Sequence, residues 1–475
     1  MARAPGEVRA VGEAGGSRVA PVGAAQRWRR LMPIAFITYS FAYLDRSNYS
    51  LGAAGGLTHD LHISSGQAGL LGGLFFIGYF LFQIPAANFA ERRSVKRLMF
   101  WSLIAWGLFA AAQGVIPWYW LLLTDRFLLG VVEAAAIPAM LVFLTHWFSQ
   151  RERGRANTIL ILGNPVTLLW MSIVSGYLIA AVGWRWMFVL EGLPAIAWAF
   201  VFRALVADRP ADAGWLTGPE SRDIEDRLAA EQQDRPRMRQ RDALRSWNVI
   251  VLAIQYALWS IGVYGFVFWL PTIVKSLSGH GIASTGLLSA VPYALAAILM
   301  VAVSWISDRT GARRWFVLPF LIAGAVVFYL SYLEGPGHFV ASFVLLVIAG
   351  GVMYAPYGPY FAFIPEFLPQ NVAGAGIGAI NAFGALGGFA GAYVVGALGG
   401  GTKSGAAFLF LAGSLLAAGL LMLVVRAHAS ASPPTLTQRS PGSGGPHDRR
   451  RPRVTSSPLP RPAAASASRR PSYRA

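Results

Sequence analysis

Long apolar runs separated by short polar breaks set the rhythm of this chain. A helix needs about 20 residues at ~1.5 Å rise each to cross a bilayer, and twelve runs reach that length. They lie near 31–56, 66–90, 97–117, 118–148, 155–182, 185–206, 247–274, 281–306, 315–333, 338–365, 372–399 and 404–426, with the 117/118 boundary resting on Pro117. A polar stretch from Asp208 to about Arg245 separates the first six from the last six. The pattern predicts an all-α membrane protein of twelve transmembrane helices in two six-helix pseudo-repeats. The expected segments are 1–30, a disordered N-terminus; 31–207, the first bundle; 208–246, a linker; 247–426, the second bundle; and 427–475, a disordered basic tail.

Loop charge orients these helices. The connection at 57–65 holds no Lys or Arg, and the other odd-to-even connections hold only Arg185, Lys275 and Lys403. The even-to-odd connections are basic: Arg92, Arg93, Lys96 and Arg97, then Arg151, Arg153 and Arg155, then Arg309, Arg313 and Arg314. The positive-inside rule puts both termini and the linker in the cytoplasm, so a multi-pass protein of the cell (inner) membrane is expected. The first apolar run follows thirty residues and is too long for a cleavable signal, so it reads as an uncleaved anchor.

Composition agrees. The 475 residues are 55% hydrophobic and 13% charged, about half the charge of a soluble domain, and the mean hydropathy is +0.49. There is no cysteine, which removes disulfides, thiolate metal sites and cysteine nucleophiles. The net charge of +18 suggests nucleic acid until it is located. Residues 1–30 hold six arginines against two glutamates, and 427–475 hold nine against one aspartate. Both segments are rich in Pro, Gly, Ala and Ser and cannot build a core. The tail lacks the interleaved aromatics that stack bases, so a cytoplasmic segment near anionic lipid is expected and nucleic acid is not.

The halves echo each other. AERRSVKR (90–97) stands between spans 2 and 3, and SDRTGARR (307–314) between spans 8 and 9. Such repeats mark transporters, with the substrate site near the midplane between them. Glu91 and Arg92, with Asp308, Arg309 and Arg313, are candidates for an acid–base clasp that locks the outward-open state; positive-inside topology alone also accounts for the loops.

Ionisable groups inside spans are costly and so are candidate functional residues. The first half has Asp45 and Arg46 on span 1, and Arg126 and Glu133 on span 4; Arg126, Gly130 and Glu133 share one face, as do Asp45 and Asn48, and Tyr43 and Arg46. The second half offers Tyr, Trp and Asn instead. A packing role is the bland alternative, but buried pairs stabilise poorly once desolvation is subtracted. Asp125 points to another face and reads as a structural partner. Guanidinium is permanently cationic with a fork matched to carboxylate, so Arg46 and Arg126 are candidate receptors for an organic anion. Burial opposes ionisation of Asp45 and Glu133 while the arginines favour it, a balance that lets protonation alternate as the cavity opens to either side. Asn164 in a broken span 5, Tyr79, Tyr357 and Asn381 are further cavity candidates. Pro356, Pro359 and Pro365 are expected to free backbone carbonyls in span 10. The run 380–396, INAFGALGGFAGAYVVG, reads as close packing that lets helix 11 move.

SDRTGARR is similar to the cytoplasmic loop signature of the major facilitator superfamily, while the first copy departs from it at Ala87, Glu91 and Ser94. Within that superfamily, YLDRSN (43–48), RFLLGVVEAAAIPAM (126–140), GWRWMFVLEGLPA (183–195), VYGFVFWLPTIV (263–274) and SAVPYALAAILMVAVSWISDRTG (289–311) resemble the anion:cation symporter family, over roughly residues 28–426. AERRSVKRL, LILGNPVTLLWMSIVSGYLI and MYAPYGPYFAFIPEFLPQNVAG resemble its 2-ketogluconate and phthalate permease branch. The resemblance implies proton-coupled uptake of an organic anion, with sodium the less favoured ion. It implies that Arg46 binds carboxylate and that Asp45 and Glu133 carry protons. A sugar acid is slightly preferred over an aromatic dicarboxylate.

The expected partners are a small organic anion and the lipid bilayer, the expected state a monomer, and no cofactor beyond the coupling proton is expected. A proton-antiport exporter is the main rival, but span 5 lacks the GxxxGPxxGG stretch usual there. A receptor would need an output domain that the linker is too short to supply. An enzyme would need a nucleophile or metal constellation, and His59, His62, His146, His280 and His338 are scattered without ligand spacing.

Overall fold

The computed structural model describes residues 24–233, 240–364, 368, 370–400 and 404–425. The expected tail, most of the expected N-terminal extension, Lys403 and Pro365 lie outside the described residues. Every regular element within them is helical. The first, α1 (Ala24–Gly52), starts inside the 1–30 stretch expected to lack structure. A buried partner explains the early start: the Arg27 guanidinium donates to the Trp147 carbonyl at 2.6 Å and pairs with Glu152 at 3.2 Å.

Next come α2 (Ser65–Arg92), α3 (Val95–Val115) and α4 (Tyr119–Trp147). The run Gln150–Leu205 then supplies two spans, α5 (150–182) and α6 (184–205), because it bends back at Gly183, whose φ of 81° and ψ of 164° suit a residue without Cβ. The second half contains α7 (Trp247–Ser278), α8 (Ile282–Thr310), α9 (Arg313–Glu334), α10 (Phe339–Phe363), α11 (Gln370–Ala397) and α12 (Gly405–Leu421). Nine helical runs among the described residues are long and apolar enough to span a membrane on composition alone, one of them the bent run that supplies both α5 and α6. α1, with its arginines and the Asp45–Arg46 pair, is not, and α12 is shorter.

The halves repeat one pairing scheme. α1 packs on α5 and α6, α2 on α4 and α3 on α6; correspondingly α7 packs on α11 and α12, α8 on α10 and α9 on α12. Both fourth helices also break. α4 is interrupted between Glu133 and Ala136, and α10 between Tyr354 and Tyr357. Pro138 and Pro359, having no N–H, cannot donate to the carbonyls of Ala134 and Ala355 four residues earlier. Span 5 differs from expectation: the helix runs regularly through Gly163-Asn164-Pro165. One proline removes one intrahelical hydrogen bond, and packing against Tyr39 and Phe36 of α1 at Gly163 holds the rest.

The halves meet through α2 on α11, α5 on α8 and α1 on α7. Their tightest backbone approaches lie at the end of the bundle opposite the start of α1 and the end of α12, called here the far face. A Cβ on Gly69 would sit 2.7 Å from the Ala392 carbonyl oxygen, and one on Gly286 2.3 Å from that of Ser172. The α11 glycines divide between neighbours, Gly387 and Gly391 against α7 and Gly388 and Gly396 against α2, which is the close packing expected of that run. Past α1, residues Ala53–Leu57 form a π-helical turn, and the Ala54 carbonyl there accepts a 2.6 Å hydrogen bond from Lys275 of α7.

At the opposite end of the bundle, where α1 starts, the two loop copies behave differently. In the second, Arg313 pairs with Asp308 at 3.3 Å and donates to the Ala362 carbonyl at 2.8 Å, tying the α8–α9 loop to α10. Arg309 stacks on Trp305 at 3.6 Å. In the first copy, Glu91 and Arg92 are exposed and make no ion pair among the described residues. Asp208, after α6, takes over there, accepting from Ser94 Oγ at 2.5 Å and from the Lys96 amide at 2.8 Å. The start of the linker belongs to the first bundle, since Trp215 stacks on Trp147 at 5.5 Å.

Candidate functional site

A small cavity lies between the halves, with about 230 Å³ of interatomic space. Its wall is formed by Arg46 of α1, Phe76 and Tyr79 of α2, Tyr256 and Tyr264 of α7, and Asn381, Gly384 and Ala385 of α11. Arg46 is its cation. A guanidinium at that depth needs compensation, and the fold supplies three kinds. Glu133 Oε2 lies 3.6 Å from Nη2, Tyr264 Oη accepts from Nη1 at 3.4 Å, and the rings of Tyr79, Tyr43 and Phe75 stand 4.6, 5.0 and 5.2 Å from the guanidinium carbon. Such faces attract a cation without neutralising it, so Arg46 keeps its positive charge for an anion.

The Glu133 carboxyl is fully buried and sits where α4 breaks. The break ends one helical segment at the glutamate, which places it near the negative end of that helix dipole. Arg46 balances it. Tyr43 joins the group through Tyr264, the two hydroxyls 3.3 Å apart. Two tyrosines and a guanidinium thus link α1 of the first half to α7 of the second.

Other candidates stand back from the cavity. Arg126 is 1% exposed; it donates to the carbonyls of Leu71 and Asp45 and to Gln113 Oε1 at 3.4–3.5 Å, with Tyr49 at 4.8 Å. The Phe75 ring lies against both guanidiniums, 5.2 Å from that of Arg46 and 5.5 Å from that of Arg126. Asp45 is fully buried beside the Trp106 indole and makes no ion pair among the described residues. Asn48 turns away from the cavity, donating to Glu191 of α6 at 3.0 Å. Asn164 is buried in α5 outside the cavity wall. Tyr357 packs in an aromatic stack, 4.4 Å from Trp259 and 5.4 Å from Tyr354, because the α10 break turns its ring toward α7. Of the sequence candidates, Arg46, Tyr79 and Asn381 line the cavity, with Tyr43 and Glu133 in contact behind Arg46.

No cluster of three or more His, Cys, Asp or Glu residues able to hold a metal occurs among the described residues. The chain matches the profile of the Major Facilitator Superfamily over residues 35–392. A protein of Agrobacterium vitis named a tartrate transporter is 33% identical over 425 residues, spanning 86% of this chain and 92% of that one.

The chain belongs to the major facilitator superfamily.

A quinolone resistance transporter of Acinetobacter baumannii is 31% identical over 414 residues, spanning 83% of this chain and 93% of that one. The facilitator fold is shared with the crystal structure of a bacterial homologue of the human lysosomal transporter Spinster, inward-facing and unoccupied. The TM-score is 0.64 at 17% identity, covering 83% of this chain and 94% of that one. Membership makes the protein a membrane transporter and not an enzyme.

Three residues of this facilitator escaped the sequence reading. Tyr264 and Tyr256 lie on an apolar helix where tyrosine is common, and only the meeting of α7 with α1 and α11 picks them out. Glu191 did carry a signal: it is an acid seven residues inside an apolar span, within a motif already quoted.

Proposed function

We propose that this facilitator takes up a small organic anion together with protons, by alternating access. One observation carries the reading: a buried arginine on the cavity wall whose carboxylate partner, Glu133, belongs to another helix and can be replaced by the carboxylate of a solute. The anion approaches Arg46; Glu133, losing that partner, takes a proton; the halves rock, and proton and anion leave on the other side. The relative named for tartrate supports a small hydroxylated acid, and the resemblance to 2-ketogluconate and phthalate permeases supports the same class. Sodium is the less favoured coupling ion.

The seal on the far face and the basic loops on the other support an inward-facing state with both ends cytoplasmic. In that state the first loop's Glu91 and Arg92 stand apart, which fits a clasp that engages when the carrier faces outward. A monomer in the inner membrane is the simplest working unit.

The test is Glu133→Gln in proteoliposomes offered labelled tartrate, 2-ketogluconate and phthalate, with and without an imposed pH gradient. Exchange of the accepted anion persists and gradient-driven accumulation is lost. Accumulation that survives removes Glu133 as the coupling acid. The similarity to a quinolone resistance transporter favours a second reading, proton-antiport export. The same vesicles decide it, because an exporter accumulates its solute when the gradient is reversed.

A further inference from the structure

The Arg46–Glu133 pair leaves one buried acid unused. Glu191 of α6 is 4% exposed and sits where α1, α5 and α6 meet. Each of its oxygens accepts one hydrogen bond, Oε2 from Asn48 Nδ2 of α1 at 3.0 Å and Oε1 from Ser175 Oγ of α5 at 2.5 Å. No cation pairs with it among the described residues. α3, packed on α6 through Gly107 and Gly192, carries its only charges, Lys96 and Arg97, at the opposite end. The charged group facing Glu191 is another acid, Asp45, one turn before Asn48 on α1.

The two partners are chemically unlike those of Glu133. Arginine only donates, so it satisfies a carboxylate and not a carboxylic acid. An amide and a hydroxyl both donate and accept. Asn48 Oδ1 is buried with no partner among the described residues. Turned over, the Asn48 amide presents that oxygen to a protonated Glu191, and the Ser175 hydroxyl can likewise reverse its role. The site therefore satisfies Glu191 in either protonation state without moving a helix, whereas a purely structural carboxylate would be served better by a fixed cation.

Position adds to this. Ser175 and Glu191 each stand eight residues from the Gly183 bend, roughly 12 Å below the far face. Asn48 is four residues before α1 ends at Gly52. Glu191 thus lies at about the level of Asp45 and Asn48, nearer the far face than Glu133, which stands fourteen residues into α4.

Resting on the coupled-transport reading above, we propose that Glu191 is a second protonation site of the carrier, loaded and emptied once per cycle and linked to α1 through Asn48. The step is one proton from water onto the carboxylate and its later return to water on the other side.

The test measures the pH gradient that just balances an opposing gradient of the transported anion, in proteoliposomes of the full chain. This balance point gives the proton-to-anion ratio. Glu191→Gln keeps both hydrogen bonds, since its amide can donate to Asn48 Oδ1, and it removes only the titration. The expected result is a ratio lower by one proton per anion. A coupled wild type with an unchanged ratio in Glu191→Gln overturns the inference and leaves the coupling reading intact. A wild type that ignores the pH gradient overturns both, and that control alone reveals it. Infrared spectra provide a second measurement if the glutamine variant fails to accumulate. In the wild type a carboxylic acid C=O band should appear and vanish with pH, and Ser175→Ala should shift its frequency. If Ser175→Ala moves no pH-dependent carboxyl band, Glu191 does not titrate.

Discussion

Replacing Arg46 by lysine isolates what the guanidinium contributes beyond charge. At this position the side chain lies 3.6 Å from Glu133 and 3.4 Å from Tyr264, with three aromatic rings within 5.2 Å. An incoming carboxylate takes two parallel bonds from the fork. A lysine ammonium is a point charge on a flexible stem and offers one in the same place. Losing one charge-assisted hydrogen bond costs about 1.5–3 kcal/mol. At 1.4 kcal/mol per tenfold, half-saturation for the anion should rise about 10- to 150-fold. Counterflow of the labelled anion in proteoliposomes without any gradient reads this directly and does not involve the proton. Arg126→Lys is the control. Its guanidinium is spent on two backbone carbonyls and Gln113 and does not line the cavity, so the expected loss is in stability, with half-saturation little changed. If Arg46→Lys stays within threefold of the parent, or Arg126→Lys raises half-saturation as far, the assignment of Arg46 as the anion receptor is refuted.

Two further outcomes, added to those for Glu133→Gln and Glu191→Gln, test the scaffold. Gly286→Val forces α5 and α8 apart, because even a Cβ would lie 2.3 Å from the Ser172 carbonyl oxygen. A cysteine at buried Ser289, one turn away in a chain with no native cysteine, should then react with a membrane-impermeant thiol reagent, and unchanged protection would show that this contact does not seal the far face. Asp208→Ala removes the acceptor of Ser94 Oγ and the Lys96 amide at the start of α3. A loss of about 1–2 kcal/mol, as for other helix caps, should lower the thermal unfolding temperature in detergent by a few degrees; no shift would mean that water replaces Asp208 without cost.

The twelve spans and the halving of the chain were legible because hydrocarbon imposes a length on every helix that crosses it. The charged quartet of Asp45, Arg46, Arg126 and Glu133 was legible for the same reason, since each is conspicuous against an apolar background. Which of the four faces the cavity was not. Arg46 and Arg126 are the same residue type on membrane helices, and only the packing decides between them, placing Arg46 on the cavity wall and Arg126 against two backbone carbonyls and Gln113. The tyrosines were hidden from the opposite direction: a phenol is unremarkable in a membrane helix until another helix places a guanidinium beside it, as α1 does for Tyr264. The Pro165 expectation failed because proline weakens a helix locally, whereas α5 is held by α1 at Gly163 and by α8 at Gly176. Pro138 and Pro359 interrupt their helices in corresponding places in the two halves.

The bond from Lys275 to the Ala54 carbonyl joins the halves across the far face, and its two ends differ in kind. The acceptor is main chain, so every side chain that position 54 could carry leaves it in place. Only the lysine is open to substitution. Natural variation in how firmly this entrance stays shut therefore has one route through this bond, the length and charge of residue 275, and a carrier tuned for faster turnover can change there while the sequence of the turn it grips stays the same.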